Sequence, residues 1–172
     1  QASLTGHLVF STIHTNSAAG ALPRLMDMKA EPFLLASSMT LILAQRVLRK
    51  LNQEVIEPYT PLPEVIADIK AVLGRHFDTF LQQKGITESQ VQLYRARADR
   101  AQTDPEYRGR IGIFEVLPVN DNISRMILEH KSAAEIEQAA MRDGMMLMKQ
   151  DGYLKALDGL TTLEEVLRVA QI

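Results

Sequence analysis

Two histidines, His7 and His14, flank an apolar run near the start of the chain, and Thr12, Thr15 and Asn16 lie close to the second of them. An imidazole can exchange a proton near neutral pH or bind a metal, and hydroxyl and amide groups can hydrogen-bond an anion. These residue types are therefore suited to holding a polar ligand. We expect His14 to face such a ligand, with a capping or structural role as the alternative.

The residues between the two histidines predict a strand. Leu8, Val9, Phe10 and Ile13 form a nearly continuous apolar run, as in a parallel strand that is covered on both faces. Such a strand would place His14 at its carboxyl end, where open α/β sheets bind ligands. At about 3.3 Å per residue, it would hold the two imidazoles roughly 23 Å apart, too far to share one small ligand or metal. We expect the other histidine to serve a turn or an interface.

Several patterns of common enzyme sites are absent from the sequence. It contains no Gly-Lys pair and hence no phosphate-binding P-loop, no Gly-x-Ser-x-Gly elbow and no His-Glu-x-x-His pair. The lack of cysteine excludes disulfides and thiolate metal sites, and we predict no metal ligands. A net charge of −2 does not indicate nucleic acid as a partner.

Length and hydrophobicity indicate an ordinary globular chain. Its 172 residues suffice for one well-packed domain with room for a subdomain, and 46% of them are hydrophobic. No apolar run approaches the roughly 20 residues that span a bilayer, and the first four residues do not resemble a signal peptide. We therefore expect a soluble cytoplasmic protein.

The elements that must position the histidine segment are predicted from caps and periodicity. Thr15 or Asn16 can cap a helix after it, in which Pro23 predicts a kink, and Pro32 opens a second helix. Residues 43–51 are typical of a helix end leading into a strand. The coarse order is β-α-α-β, an insertion, β, and about four helices.

In the second half of the chain, the residues that predict where helices and strands begin and end are clearer. After three prolines, residues 63–77 have helical period, which predicts an inserted subdomain, and residues 109–117 return to strand composition. Capping boxes are predicted at Ser132–Glu135 and Thr161–Glu164. Between them we expect a helix over Met145–Leu157, which Gly159 can end in a left-handed conformation.

The arginines leave alternatives open. Arg46 and Arg49 could lie on a plain surface or could contact a nucleotide or a neighbouring subunit. A second group of arginines is interleaved with acidic residues, which favours a solvated or subunit-contact surface over an anion-binding patch. Its members are Arg95, Arg97, Arg100, Arg108 and Arg110, with Asp99, Asp104 and Glu106 among them.

Four separated stretches resemble the secretion superfamily ATPases of bacterial type II secretion and type IV pilus assembly. They are residues 5–38, which include "GHLVFSTIHTN", and residues 43–51, 107–117 and 151–169, in the family's order. The resemblance implies an α/β fold that is the C-terminal portion of a RecA-like P-loop ATPase core. It implies half of that core in residues 1–51, an inserted subdomain in 52–108, a returning core strand in 109–118 and a C-terminal helical cluster in 119–172.

The stretch "GHLVFSTIHTN" resembles the family's histidine box, which lies beside the nucleotide. The resemblance therefore implies catalytic roles for His14 and His7, and positions near the nucleotide for Thr12, Thr15 and Arg46. In this family the phosphate loop and the acidic motifs precede the histidine box. ATP and Mg²⁺ would then act in a full-length protein, and we expect this chain alone to be an inactive C-terminal fragment.

One departure from the family concerns zinc. Members with the insertion commonly carry two Cys-x-x-Cys pairs there, whereas this chain has Asn52 and Val55 at the first pair and Asp99 and Gln102 at the second. Asparagine and valine supply no thiolate, so we predict no structural zinc. The insertion itself favours an assembly or secretion motor over a retraction motor.

The resemblance also implies partners. It predicts a homo-hexamer that is cytoplasmic and held at the inner membrane by a membrane platform and other secretion or pilus proteins, without nucleic acid. The alternative is a freestanding, non-enzymatic interaction module derived from such a motor, which binds a motor or platform partner. Its gene would start close to Gln1, whereas a motor gene would encode a Gly-Lys-Ser/Thr loop upstream.

Overall fold

The computed structural model describes residues 3–170 and combines helices with small sheets, so the chain is an α/β protein. The helices are α1 (Ala21–Asp27), α2 (Pro32–Ser38), α3 (Pro63–Leu73), α4 (Arg75–Lys84), α5 (Asp121–Leu128), α6 (Ala133–Arg142), α7 (Met148–Leu157) and α8 (Leu163–Ala170). The strands are β1 (Leu41–Leu51), β2 (Ile56–Tyr59), β3 (Leu93–Ala96) and β4 (Tyr107–Pro118). Within the described part of the chain, no helix is both long and apolar enough to cross a membrane.

The chain divides into two compact units. The first comprises the residues up to Gln45 together with Phe114–Leu147, and the second comprises Arg46–Ile113 together with the residues from Met148 onward. Because β1 and β4 each contain a boundary residue, each strand contributes one end to each unit.

β1 and β4 form a two-stranded antiparallel sheet. In the first unit the Val119 N–H donates to the Thr40 carbonyl at 3.0 Å, and in the second unit the Asn52 N–H donates to the Glu106 carbonyl at 2.9 Å. The end of one strand therefore meets the start of the other. Along the carboxyl half of β4, buried and exposed residues alternate, as expected for a strand with one covered face.

Helices cover the core of the first unit. α2 packs against α5, and α5 against α6. The Asn120 carboxamide accepts the Ile123 N–H at 2.9 Å and so caps α5. Ser132 and Glu135 form the predicted capping box at the start of α6. The buried core side chains include Ala18, Ala19, Leu22, Leu35, Ile42, Leu117, Ile123, Ile127 and Ile136.

The second unit contains the sheet of β2 and β3 together with α3, α4, α7 and α8. β2 and β3 pair antiparallel, with Ile56 opposite Ala96 and Tyr59 opposite Leu93. α7 contacts both α3 and α8. The hydroxyl of the buried Tyr153 donates to the Asp68 carboxylate at 2.9 Å, and burial together with this carboxylate raises the pKa of the phenol. Other buried side chains of this unit are Leu48, Leu51, Ile69, Leu73, Phe77 and Val166.

Several sequence predictions of helix ends are confirmed. Ser132 caps α6, Pro32 opens α2, and Gly159 ends α7 with a φ of +73°. The Gly159 and Leu160 N–H groups donate to the carbonyls of Ala156 and Lys155, which is the Schellman arrangement. The predicted helical stretch over residues 63–77 is divided into α3 and α4 because Gly74 adopts a φ of +52°.

The predicted start of the first helix is wrong. α1 begins at Ala21 with Gly20 as its N-cap, so neither Thr15 nor Asn16 caps it. Pro23 therefore lies in the first turn, where backbone N–H groups have no partner within the helix. A kink is not required at such a position.

Three other boundaries differ from the predictions. Residues 43–51 lie entirely within β1, since pairing with β4 overrides the helix propensity of leucine, alanine and arginine. α7 begins at Met148 rather than Met145, whose N–H instead donates to the Ala140 carbonyl at the end of α6. The cap of α8 is shifted by one residue, because Thr162 rather than Thr161 accepts a helical N–H, that of Glu165.

The contact between α7 and α8 depends on a glycine. A Cβ atom placed on Gly152 would lie 2.6 Å from Cγ1 and 3.2 Å from Cγ2 of Val166. This separation is far inside van der Waals contact, and Val166 is itself buried. The absence of a side chain at Gly152 therefore sets how closely the two helices approach.

Gly152→Ala is expected to destabilise the chain by about 1–2 kcal/mol, because overpacking outweighs the roughly 0.5–1 kcal/mol gained by removing a helical glycine. The Val166→Ala variant removes the obstructing methyl groups, so Gly152→Ala should cost much less in that background. Urea unfolding of both single variants and the double variant measures the coupling. Additivity of the two changes within about 0.5 kcal/mol would contradict the close contact.

Candidate functional site

The predicted site residues divide between the two units. His7, Thr12, His14 and Thr15 lie on one segment of the first unit that precedes α1, whereas Arg46 lies in β1 within the second unit. Both imidazoles and Thr12 are exposed, while Thr15 is half-buried. The His7 Nδ1 atom lies 3.0 Å from Thr5 Oγ1.

The strand predicted over His7–His14 is not present. These residues belong to no helix or strand of the described chain, and the apolar run is exposed, with Leu8 at 82% and Phe10 at 87%. A strand requires a neighbour that takes up its N–H and carbonyl groups, and no described strand pairs with this segment. Apolar composition alone does not supply that neighbour, so the separation predicted for the two imidazoles does not apply to this structure.

A turn with defined hydrogen bonds follows His14. The Thr15 hydroxyl donates to the Ser17 carbonyl at 3.1 Å, and the Gly20 N–H donates to the Ser17 hydroxyl at 3.1 Å. The Ala21 N–H then donates to the Ala18 carbonyl at 3.1 Å, which leads the chain into α1. The exposed histidine is thus attached directly to an ordered turn.

A buried carboxylate holds this turn. Glu115 of β4 is 3% exposed, and its Oε1 accepts the Ala18 N–H at 2.8 Å. Sequence reasoning missed Glu115 because the surrounding residues were interpreted only as a strand. The available signal was its register, since Glu115 is two residues from both Ile113 and Leu117 and so shares their buried face of the strand.

The second unit holds another buried carboxylate. The Glu165 side chain is fully buried, whereas those of Arg49 and Arg168 are 53% and 57% exposed. Arg168 donates from Nε to Oε2 at 2.9 Å and from Nη2 to Oε1 at 2.6 Å. Arg49 donates from its backbone N–H to Oε1 at 2.9 Å and from Nη2 to Oε2 at 2.7 Å. These bonds, those from Arg168 first, hold the pKa of Glu165 well below its usual range although burial acts in the opposite direction.

Neighbouring groups complete the Glu165 cluster. The Arg49 guanidinium lies 4.2 Å from the centre of the Tyr107 ring, and the Tyr107 hydroxyl lies 3.0 Å from Thr162 Oγ1. The Thr161 hydroxyl donates to the Arg49 carbonyl at 2.9 Å. Each Glu165 oxygen already accepts two hydrogen bonds. The cluster therefore joins α8 to β1 and does not offer the carboxylate to a ligand. The structure thus gives Arg49 a partner within its own chain.

A family model matches nearly the whole chain. The model of the family described as "Type II/IV secretion system protein" matches residues 1–168. The chain belongs to the type II/IV secretion system protein family. The resemblance carried by the four sequence stretches is therefore confirmed.

The relatives that match this chain are considerably longer than the chain itself. Type II secretion system protein E of Xanthomonas campestris is 44% identical over 171 residues, which cover 99% of this chain and 28% of that protein. The type IV pilus assembly ATPase PilB of Myxococcus xanthus is 40% identical, over 96% of this chain and 27% of that protein. Type II secretion system ATPase E of Vibrio cholerae is 41% identical, over 99% of this chain and 31% of that protein. The chain therefore spans less than a third of these relatives.

The positions that resemble the family's zinc ligands do not fit a zinc ion. The Asn52 amide Nδ2 donates to the Pro105 carbonyl at 3.1 Å, and its Oδ1 accepts the Glu54 N–H at 3.3 Å. Val55 is buried, and its carbonyl accepts the Arg97 N–H at 2.7 Å. The Asn52 side chain and the Val55 carbonyl thus join the loop over residues 52–55 to the loop over residues 97–106. Over residues 3–170, no group of three or more histidine, aspartate or glutamate side chains could hold a metal ion.

Glu165→Gln is expected to destabilise the chain by about 2–3 kcal/mol at pH 7, because charge-assisted hydrogen bonds to both arginines are weakened. The folded pKa of Glu165 lies below its ordinary value near 4.5, so its contribution is complete above that value and is lost as the pH falls further. The difference between the wild type and Glu165→Gln should therefore shrink below about pH 4.5.

Glu164→Gln is the matched control, since Glu164 is the exposed neighbour on the same helix turn. This variant should change the free energy of unfolding by less than about 0.5 kcal/mol. Urea unfolding of both variants across the acid range measures the comparison. Equal losses for the two variants at pH 7 would refute the assigned role of the buried carboxylate.

Proposed function

We propose that this chain is the C-terminal portion of an ATP-hydrolysing motor that powers type II protein secretion or type IV pilus assembly. The proposal rests on the match to relatives that are named as secretion and pilus ATPases. Nearly the whole of this chain matches them, and the matched part is less than a third of the length of each relative. The sequence itself contains no Gly-Lys pair with which a P-loop could bind phosphates. On this proposal the chain alone hydrolyses no ATP.

The histidine segment supplies one wall of the nucleotide site in the proposed motor. His14 is exposed and can donate a hydrogen bond or a proton to phosphate oxygens that gain charge during hydrolysis. Thr12, Thr15 and Arg46 lie near the nucleotide, and His7 contributes by its place in the same box. Mg²⁺ would be held by acidic groups outside the described residues.

The exposed apolar run supports a RecA-like core for the whole protein. Leu8 and Phe10 are far more exposed than is usual for large apolar side chains. Strands of the proposed core would pair with this segment and cover both of its faces, with residues 52–108 as the inserted subdomain. The assembled motor is a homo-hexamer in the cytoplasm, attached to the inner membrane through a membrane platform and other machinery proteins.

His14→Ala in the full-length protein is expected to lower kcat at least about 100-fold, as when a donor to a transition-state oxyanion is removed. The melting temperature should stay within a few degrees, because the side chain is exposed. His76→Ala, on α4, is the control and should retain the wild-type rate. Phosphate release at saturating Mg-ATP gives the measurement, and an unchanged rate in His14→Ala would remove the residue from the site.

We also propose that the loop over residues 52–55 and the loop over residues 97–106 are held together without a zinc ion. Elemental analysis of protein purified without chelator should find well below one zinc per chain. A family member that carries both cysteine pairs serves as the positive control under the same conditions. About one zinc per chain, retained through dialysis, would show that other ligands have taken over the site.

A further inference from the structure

Glu115 occupies a position that apolar packing alone would not select. It lies on the covered face of β4 and is nearly as buried as Leu117, two residues along the strand. Moving a carboxylate out of water is costly unless hydrogen-bond donors replace the lost hydration. An isoleucine or leucine at this position would have been buried without that cost. The carboxylate therefore has a use that depends on its oxygen atoms.

One such use is the turn that follows His14. The Ala18 N–H, donating to Oε1 at 2.8 Å, lies before the start of α1 and is itself buried. The bond has the length of a charge-assisted hydrogen bond and links positions 97 residues apart. It attaches the entry of α1 to the sheet.

The tether limits where His14 can lie. Ala18 is the fourth residue after His14, so even a fully extended chain would allow about 14 Å between their Cα atoms. The Thr15 hydroxyl, bonded to the Ser17 carbonyl, and the Ser17 hydroxyl, bonded to the Gly20 N–H, order the intervening turn. The exposed imidazole therefore lies on a short segment that is fixed at Ala18 by the buried Glu115 carboxylate.

We infer that Glu115 is a positioning residue for His14: its carboxylate, through the Ala18 N–H, fixes the imidazole against the reacting phosphate. This inference rests on the proposed ATPase function. Glu115 itself touches no reacting atom. Because a displacement of about 1 Å can cost about 100-fold in rate, loss of the tether should reduce kcat more than it changes KM.

The test uses the full-length protein with the variants Glu115→Ala, Glu115→Gln and Leu117→Ala. Glu115→Ala should lower kcat at least about 10-fold, with a less than threefold change in KM for ATP. Exchange of the Ala18 amide hydrogen should accelerate about 10- to 100-fold, the factor that corresponds to one charge-assisted bond. Glu115→Gln keeps an acceptor oxygen and should recover most of the rate and of the protection.

Leu117→Ala separates positioning from general destabilisation. It removes a buried side chain from the same face of the same strand, so it should lower stability at least as much as Glu115→Ala. Below its melting temperature it should retain kcat within about threefold. Comparable losses of kcat in Leu117→Ala and Glu115→Ala would overturn the inference, as would equal losses in the glutamine and alanine variants.

Failure of the inference can be told apart from failure of the proposed function. If the wild-type protein hydrolyses ATP and His14→Ala is impaired while Glu115→Ala keeps its kcat, the positioning role alone is refuted. If the wild-type protein shows no turnover, or His14→Ala is fully active, the proposed function fails before the question of positioning arises.

Discussion

A carboxylate taken out of water must be given hydrogen-bond donors, and this requirement locates a peripheral segment in each unit. In the first unit Glu115 takes the N–H of Ala18, and in the second Glu165 takes four donors from Arg49 and Arg168. Apolar burial stabilises both cores more strongly in total, but it is non-directional. The carboxylates add direction, because only one placement of the turn or of α8 satisfies them.

The two carboxylates differ in the groups to which they hydrogen-bond. Glu165 is enclosed by guanidinium groups, one of which also rests on the Tyr107 ring, so its oxygens are committed to holding α8. Glu115 instead holds a backbone N–H at the end of a segment whose own side chains are exposed. The Glu165 cluster therefore joins α8 to β1. Glu115 instead fixes one end of a segment that remains exposed.

The sequence predicted the helices better than the candidate site, for physical reasons that particular residues make clear. Ser132, Pro32 and Gly159 act through local hydrogen bonds and local backbone geometry, so their effects are visible within a few residues. The run from His7 to His14 was predicted as a strand, but strand formation depends on a neighbour that composition does not reveal. Ala18 lies 97 residues from Glu115, and Arg49 lies 116 residues from Glu165, beyond the reach of any local pattern; only Arg168, three residues from Glu165, was a local partner. Register could have singled out Glu115 as an inward-facing charge without naming Ala18.

Hydrogen bonds join the loop over residues 52–55 to the loop over residues 97–106 in the second unit. A structural zinc contributes roughly 10–16 kcal/mol in small zinc domains, whereas each neutral hydrogen bond contributes only about 0.5–1.5 kcal/mol. The bonds made by Asn52 and Val55 are therefore far weaker in total than a structural zinc would be. The remaining stability must come from apolar burial, at about 1.5–3 kcal/mol for each fully buried large side chain. Leu73 and Phe77, which are fully buried in the same unit, supply burial of this kind. In this chain the geometry of the loops consequently depends on the helical core of the second unit, so a substitution in that core should loosen them even where it touches neither loop.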